Sequence, residues 1–330
     1  MASVIRLGLI GAGRWGHTYL RTFAGLADRC RVTHVCTSRP DRVAVPAGAA
    51  VVADWHALLR ADCDAVIVAT PPHTHAEILE ACLEVRKPCL MEKPLCLDAA
   101  TADRLHDRVQ ASGVPVLVDH TQVFHPGYRA LKHALTEARE PIRVIFSEGM
   151  ALGPFRAHTP ALWDWAPHDV SLCLDLLGAQ PQRCDALAGP AGPDGAPEHV
   201  SLRLEFAGGV AAWIHAGRLA PQRRRVLSVI TETRLYVLED AAAQPLTVSP
   251  LRWAARYTDG IPEPLERRPI PLPAAQPPLA CVVTSFLDGL AGGDRAMFGT
   301  TLARDVVTVL SRCEAAMSRG AIRHEPHSVS

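Results

Sequence analysis

Val4 to Gly16 reads VIRLGLIGAGRWG, and this stretch decides the fold. Val4 to Ile10 is an apolar run of strand length, and Gly11-Ala12-Gly13-Arg14-Trp15-Gly16 follows it without a gap and opens a helix that continues through Tyr19 to Leu26. The first glycine permits a tight turn, the second lets the backbone approach a pyrophosphate, and the third allows close packing of helix on strand. The free N–H groups of the helix start then receive the phosphates. Strand before and helix after predict a dinucleotide site at Gly11, Ala12, Gly13, Arg14, Trp15 and Gly16.

Outward from this motif, the first 120 residues alternate short apolar runs with amphipathic stretches, the pattern of βαβ units. Val32 to Cys36, Ala65 to Thr70, Pro88 to Met91 and Val114 to Val118 read as strands; Thr74 to Leu83 and Ala99 to Ala111 read as helices. The run AVIVAT is apolar throughout, as expected for a parallel strand covered on both faces. Beyond residue 120 the pattern changes to β-like runs at Arg143 to Glu148, Val200 to Phe206, Val210 to His215 and Arg225 to Glu239, with Ala207-Gly208-Gly209 turning a hairpin. Helices over Leu279 to Leu290 and Thr301 to Met317 close the chain. The fold class is therefore α/β: an N-terminal doubly wound Rossmann sheet over residues 1–120, then an α/β domain with a large, mostly antiparallel open sheet over 121–330.

Composition agrees with a small-molecule partner. In 330 residues, 34 Lys and Arg balance 34 Asp and Glu, so no net field attracts nucleic acid or an anionic membrane. No apolar run approaches the ~20 residues of a membrane span, and Arg6 interrupts the first one. The ten cysteines contain no C-x-x-C pair and sit mostly in apolar runs, as buried thiols of a reducing cytoplasm rather than disulfide partners or metal ligands. Prolines cluster in Gly189 to Pro197 and in Ile261 to Pro278, which read as loops.

The end of the second strand bears on the cofactor. An acidic residue there would bind the ribose 2′-hydroxyl of NAD(H), but Val35-Cys36 runs into Thr37-Ser38-Arg39. Hydroxyls and a guanidinium suit a 2′-phosphate, which favours NADP(H). Asp41, two residues on, keeps NAD(H) possible.

Glu92-Lys93-Pro94 follows the strand Pro88 to Met91, and Asp164-Trp165-Ala166-Pro167-His168-Asp169 precedes an apolar helix ending at Gly178. With these motifs in this order after the glycine loop, the chain resembles the Gfo/Idh/MocA oxidoreductases along nearly its whole length. The resemblance implies hydride transfer between a nicotinamide and a sugar carbinol or keto group, with Lys93, His168 and Asp164 as catalytic and substrate-binding candidates. Lys93 suits a proton exchanged with the reacting oxygen and can stabilise a developing alkoxide. His168 is the second candidate acid/base. Asp164, four residues earlier, reads as an N-cap of the helix that Pro167 enters, facing the same cleft as an orienting carboxylate. Glu92 and the loop Thr70, Pro71, Pro72 and His75 match cofactor-side segments of the family, His75 as a structural more than a catalytic residue.

Further along, many relatives carry an arginine where this chain has His120-Thr121-Gln122-Val123-Phe124-His125-Pro126, which leaves a contact there in doubt. Leu152-Gly153-Pro154-Phe155-Arg156 and the tryptophans around Asp164 resemble members of nucleotide-sugar and polysaccharide pathways, in which Arg156 would contact a diphosphate or carboxylate. The leading expectation is a nucleotide-sugar enzyme, such as a UDP-N-acetylglucosamine 3-dehydrogenase or a 3-ketosugar reductase. Alternatives are a cyclitol or free-sugar dehydrogenase and, in another class, an inactive dinucleotide-binding sensor. The resemblance also implies a homodimer or homotetramer formed through the C-terminal sheet.

Overall fold

The computed structural model describes residues 4–155, 159–251, 266–273 and 276–322. Arg156, the expected anion contact, lies outside them.

Six strands form the first sheet: β1 (Ile5–Ile10), β2 (Cys30–Cys36), β3 (Ala50–Val52), β4 (Ala65–Val68), β5 (Cys89–Glu92) and β6 (Val116–Asp119). All pairs are parallel, in the order β3-β2-β1-β4-β5-β6. Strand order reverses between β1 and β4, and in such sheets ligands bind beyond the carboxyl ends at that switch point. The crossovers include α1 (Arg14–Ala24), α2 (Trp55–Arg60), α3 (His75–Glu84) and α4 (Ala99–Ser112). β4 and β5 are buried at every residue, which explains the unbroken apolar sequence of β4 and of β5 up to the acid Glu92 that ends it.

The second sheet, among the described residues, has eight strands: β7 (Ile142–Leu152), β8 (Arg183–Ala188), β9 (His199–Glu205), β10 (Ala211–Gly217), β11 (Leu219–Thr231), β12 (Arg234–Glu239), β13 (Leu246–Pro250) and β14 (Arg268–Pro269). Only β7 and β10 pair in parallel. The helices of this half are α5 (Pro126–Ala138), α6 (Ala161–Asp164) and α7 (Ala166–Leu177), which ends on left-handed Gly178. Alternation along β9, with Val200, Leu202 and Leu204 buried, turns one face of the sheet to the core.

Two readings of the sequence change. Arg225 to Glu239 is two strands, because Glu232 and Thr233 turn the chain and Glu140 accepts from the Thr233 amide and hydroxyl. Pro126–Ala138, taken as part of a β-rich half, is a helix whose first turn His125 caps by accepting the Gly127 N–H at Nδ1. The chain forms two compact units, Met1–Phe124 with Gln276–Thr308 and His125–Ala275 with Val309–Ser330. Helix α8 (Pro278–Leu290) thus belongs with the first sheet: it packs on α1 and on the turn Thr121–Phe124, and Asp288 pairs with Arg29 at 2.6 Å. Only the second half of α9 (Thr301–Ile322) belongs to the second unit.

Candidate active site

The glycine loop sits at the switch point, and each glycine has a separate physical reason. Gly11 adopts φ +92°, and a Cβ there would meet the Ala69 carbonyl oxygen at 2.7 Å, so the loop presses on the end of β4. A Cβ at Gly16 would come within 2.2 Å of the Gly11 oxygen, which sets how closely α1 approaches the loop. At Gly13 a Cβ would meet nothing within 4 Å. That open volume faces the start of α1, whose N-cap, Gly13, supplies no side-chain acceptor and whose first turn holds no acidic residue. Uncapped N–H groups and the positive end of the helix dipole are left for an anion, so these residues fit the phosphates of a dinucleotide.

After β2, Thr37 is half-buried and Ser38 and Arg39 are exposed; the Thr37 hydroxyl accepts the Arg39 N–H at 3.1 Å. No carboxylate pairs with Arg39 among the described residues. Asp41 lies in the exposed turn Pro40–Arg42.

Beyond β4, His75 at the start of α3 is fully buried and ties two loops together. Its Nδ1 lies 2.7 Å from the Pro94 oxygen and its Nε2 2.9 Å from the Thr70 oxygen. Burial pushes the imidazole below the usual histidine range, against the pull of the two carbonyls. His75 therefore links the Thr70-Pro71-Pro72 loop to the Glu92-Lys93-Pro94 motif, in keeping with its structural reading.

Lys93 directly follows β5 and is only 7% exposed. Beneath it lies a cluster of acids. Glu92 is opposite Asp119 in the β5–β6 register, and both are buried. The Tyr19 hydroxyl, fully buried on α1, donates to Asp119 Oδ2 at 2.5 Å, and the Thr121 hydroxyl donates to Asp119 Oδ1 at 2.7 Å. Burial, then the neighbouring Asp119, holds Glu92 well above the usual carboxylate range, while Lys93 draws it down. Burial also raises Asp119, against the two hydroxyls and Lys93.

In the second unit, Asp164 and His168 fall where α6 passes into α7. The N-cap of α7 is Trp165, with no side-chain cap, so the expected capping role of Asp164 is incorrect. Asp164 ends α6, and its Oδ2 pairs with the fully buried Arg218 at 3.1 Å. The same guanidinium reaches Glu198 at 2.8 Å and the Thr159 carbonyl at 2.6 Å. His168 is half-buried in the first turn of α7. The adjacent Asp169 is fully buried, accepting from Ser147 at 2.7 Å and pairing with Arg225 at 3.1 Å; burial lifts its carboxyl and Arg225 opposes the rise.

Comparison with known proteins matches this organisation in both halves. The profile of the GFO_IDH_MocA oxidoreductases with an NAD-binding Rossmann fold covers residues 5–120, and that of the GFO/IDH/MocA C-terminal domain covers 155–237. The chain belongs to the Gfo/Idh/MocA family. It is an NAD(P)-dependent oxidoreductase acting on CH–OH groups, and the sensor alternative is set aside. Its relatives include the UDP-N-acetylglucosamine 3-dehydrogenase of Acidithiobacillus ferrooxidans, 27% identical over 70% of this chain and 72% of that one. Inositol 2-dehydrogenase 2 of Paenarthrobacter aurescens is 34% identical over 53% of this chain but 56% of its own length. A solved structure from Magnetospirillum magnetotacticum MS-1, named only as an oxidoreductase, superposes with a TM-score of 0.84 at 37% identity, covering 94% of this chain and all of that one.

Tyr19, Asp119, Arg218 and Glu198 are given no functional role by the sequence reading. Asp119 left one trace, an acid closing the apolar run Val116-Leu117-Val118. Arg218 left none, since a lone arginine between two strands reads as solvated.

Proposed function

We propose that this family member moves hydride between NADP(H) and a carbinol carbon of a nucleotide sugar, with a UDP-N-acetylhexosamine oxidised at C3, or its 3-keto form reduced, as the first candidate. The observation that carries the chemistry is Lys93, a buried lysine at the carboxyl end of a strand beside the switch point. When bound, the nicotinamide supplies or accepts the hydride. The chain must handle the proton of the substrate oxygen, and Lys93 would accept it during oxidation or return it during reduction. An ammonium there also stabilises negative charge on that oxygen. The start of α1 would hold the pyrophosphate, and Ser38 and Arg39 the 2′-phosphate. Thr70, Pro71 and Pro72 would line the cofactor, and Asp164 and His168 would orient the sugar.

The nucleotide-sugar choice is supported by the named activity of the Acidithiobacillus relative. Several inositol dehydrogenases among the relatives support a cyclitol as the second reading. Nucleotide sugars and cyclitols assayed with NAD⁺ and NADP⁺, following nicotinamide absorbance, decide between them. Turnover of inositol with none of any nucleotide sugar overturns the first choice.

Assembly as a homodimer or homotetramer is supported by exposed Leu187, Trp213 and Phe146, which the register of β8, β9, β10 and β7 puts on one face of the second sheet. Sedimentation tests it. A cytoplasmic setting is supported by the placement of the ten cysteines, nine of which are buried as thiols in the packed interior.

A further inference from the structure

The acids beneath Lys93 raise a question of charge. Two ionised carboxylates side by side in a dry interior repel, and each also loses its hydration. The hydrogen bonds decide which one keeps its charge. Asp119 accepts a hydroxyl on each oxygen, from Tyr19 and from Thr121, which is the environment of a carboxylate. Glu92 Oε1 is buried with no hydrogen-bond partner, and the support its carboxyl draws from the Tyr19 hydroxyl and the Lys93 N–H is outweighed by burial and by Asp119.

We propose that Tyr19 and Asp119 are positioning residues for Lys93: they confine one negative charge to Asp119 and keep Glu92 a neutral acid, so that of these two carboxyls only Asp119 acts on the ammonium as a charge. This rests on the reading of Lys93 as the proton-exchanging group. Glu92 on β5, Asp119 on β6 and His75 on α3 each feel the charge of Lys93, and Tyr19 on α1 acts on the two carboxyls. His75 is kept neutral by burial and Tyr19 lies far above its ordinary range, so neither carries charge near neutrality.

Gln at position 92 mimics a protonated Glu92. Glu92→Gln should therefore leave the acidic limb of kcat/KM where it is, whatever its effect on the rate at the plateau. Adding Asp119→Asn to that variant removes the negative charge of this pair, and the limb should move to lower pH by about one unit. A shift caused by Glu92→Gln alone, or no further shift in the double variant, overturns the proposal.

Infrared spectroscopy of the cofactor-free protein gives a readout independent of turnover. At pH 7 wild type should show a protonated-carboxyl band that Glu92→Gln abolishes; persistence of the band in that variant assigns the proton to another group and overturns the proposal. On the Glu92→Gln background, Tyr19→Phe should raise the pH at which Asp119 takes up a proton, and an unchanged value removes Tyr19 from the device. Lys93→Met separates the two readings. If it turns over normally, the reading of Lys93 fails, while the infrared result still decides where the charge lies.

Discussion

Arg218 has one guanidinium nitrogen 3.1 Å from Asp164 Oδ2 and another 2.8 Å from Glu198 Oε2, with all three side chains buried. The Asp164 carboxylate is thus fixed by an ion pair from the strand region, not by the helix it precedes. Removing the guanidinium takes the countercharge from two buried carboxylates, and the cost of breaking such a pair is about 3–5 kcal/mol. Arg218→Met should lower the denaturation midpoint strongly, whereas Arg218→Lys, which keeps the charge but loses the fork, should lose less stability. Chemical denaturation compares them, and an Arg218→Met midpoint equal to wild type would remove the network from any role in holding Asp164.

The glycine loop offers a sharper separation of folding from binding. At Gly16 a methyl group would collide with the Gly11 carbonyl at 2.2 Å, so Gly16→Ala should destabilise the apoprotein and weaken cofactor binding together. At Gly13 the methyl meets nothing, so Gly13→Ala should melt like wild type. Its cofactor affinity should nonetheless fall by roughly tenfold or more, about 1.4 kcal/mol, because the methyl enters the space intended for phosphate. Melting curves with and without NADPH test the pair, and equal cofactor stabilisation of Gly13→Ala and wild type counts against the cradle.

Arg39 is exposed and free of carboxylate partners among the described residues, so its substitution should change binding without changing the fold. Arg39→Asp removes a 2′-phosphate donor and creates an acceptor for a ribose 2′-hydroxyl. Titration should give wild type a preference for NADPH and the variant a preference for NADH. A wild type that already prefers NADH assigns the ribose to another group, with Asp41 the nearest acid in the following turn.

Much of this organisation was legible because it is written locally. Val4 to Gly16 carries strand, turn and helix signals in consecutive residues, and the run Ala65 to Thr70 carries its burial in its composition. The electrostatic partners were not legible, since they join residues far apart. Tyr19 meets Asp119 across 100 positions, and Arg218 meets Asp164 across 54, so no spacing rule connects them. Helix α5 was hidden for another reason: His125 and Pro126 form a cap and first turn that look like loop residues until the Gly127 N–H is seen to need an acceptor. The placement of α8 follows from its packing on α1 and the Thr121–Phe124 turn, which chain order conceals.

His75 links two loops of the cofactor side and should make stability depend on acidity. Its folded-state value lies below the ordinary 6.5, with burial the main cause. Above 6.5 both folded and unfolded chains hold a neutral ring, and the contribution is complete. As pH falls below 6.5 the unfolded chain binds a proton first, so stability declines until the lower folded-state value is reached. His75→Gln abolishes this titration while keeping one amide to donate to a carbonyl. It should cost on the order of 1 kcal/mol at pH 8 through the lost geometry. The difference in melting temperature between wild type and variant should then narrow as pH is lowered from 7 to 5. A constant difference across that range would mean that the buried ring keeps the same proton affinity folded and unfolded.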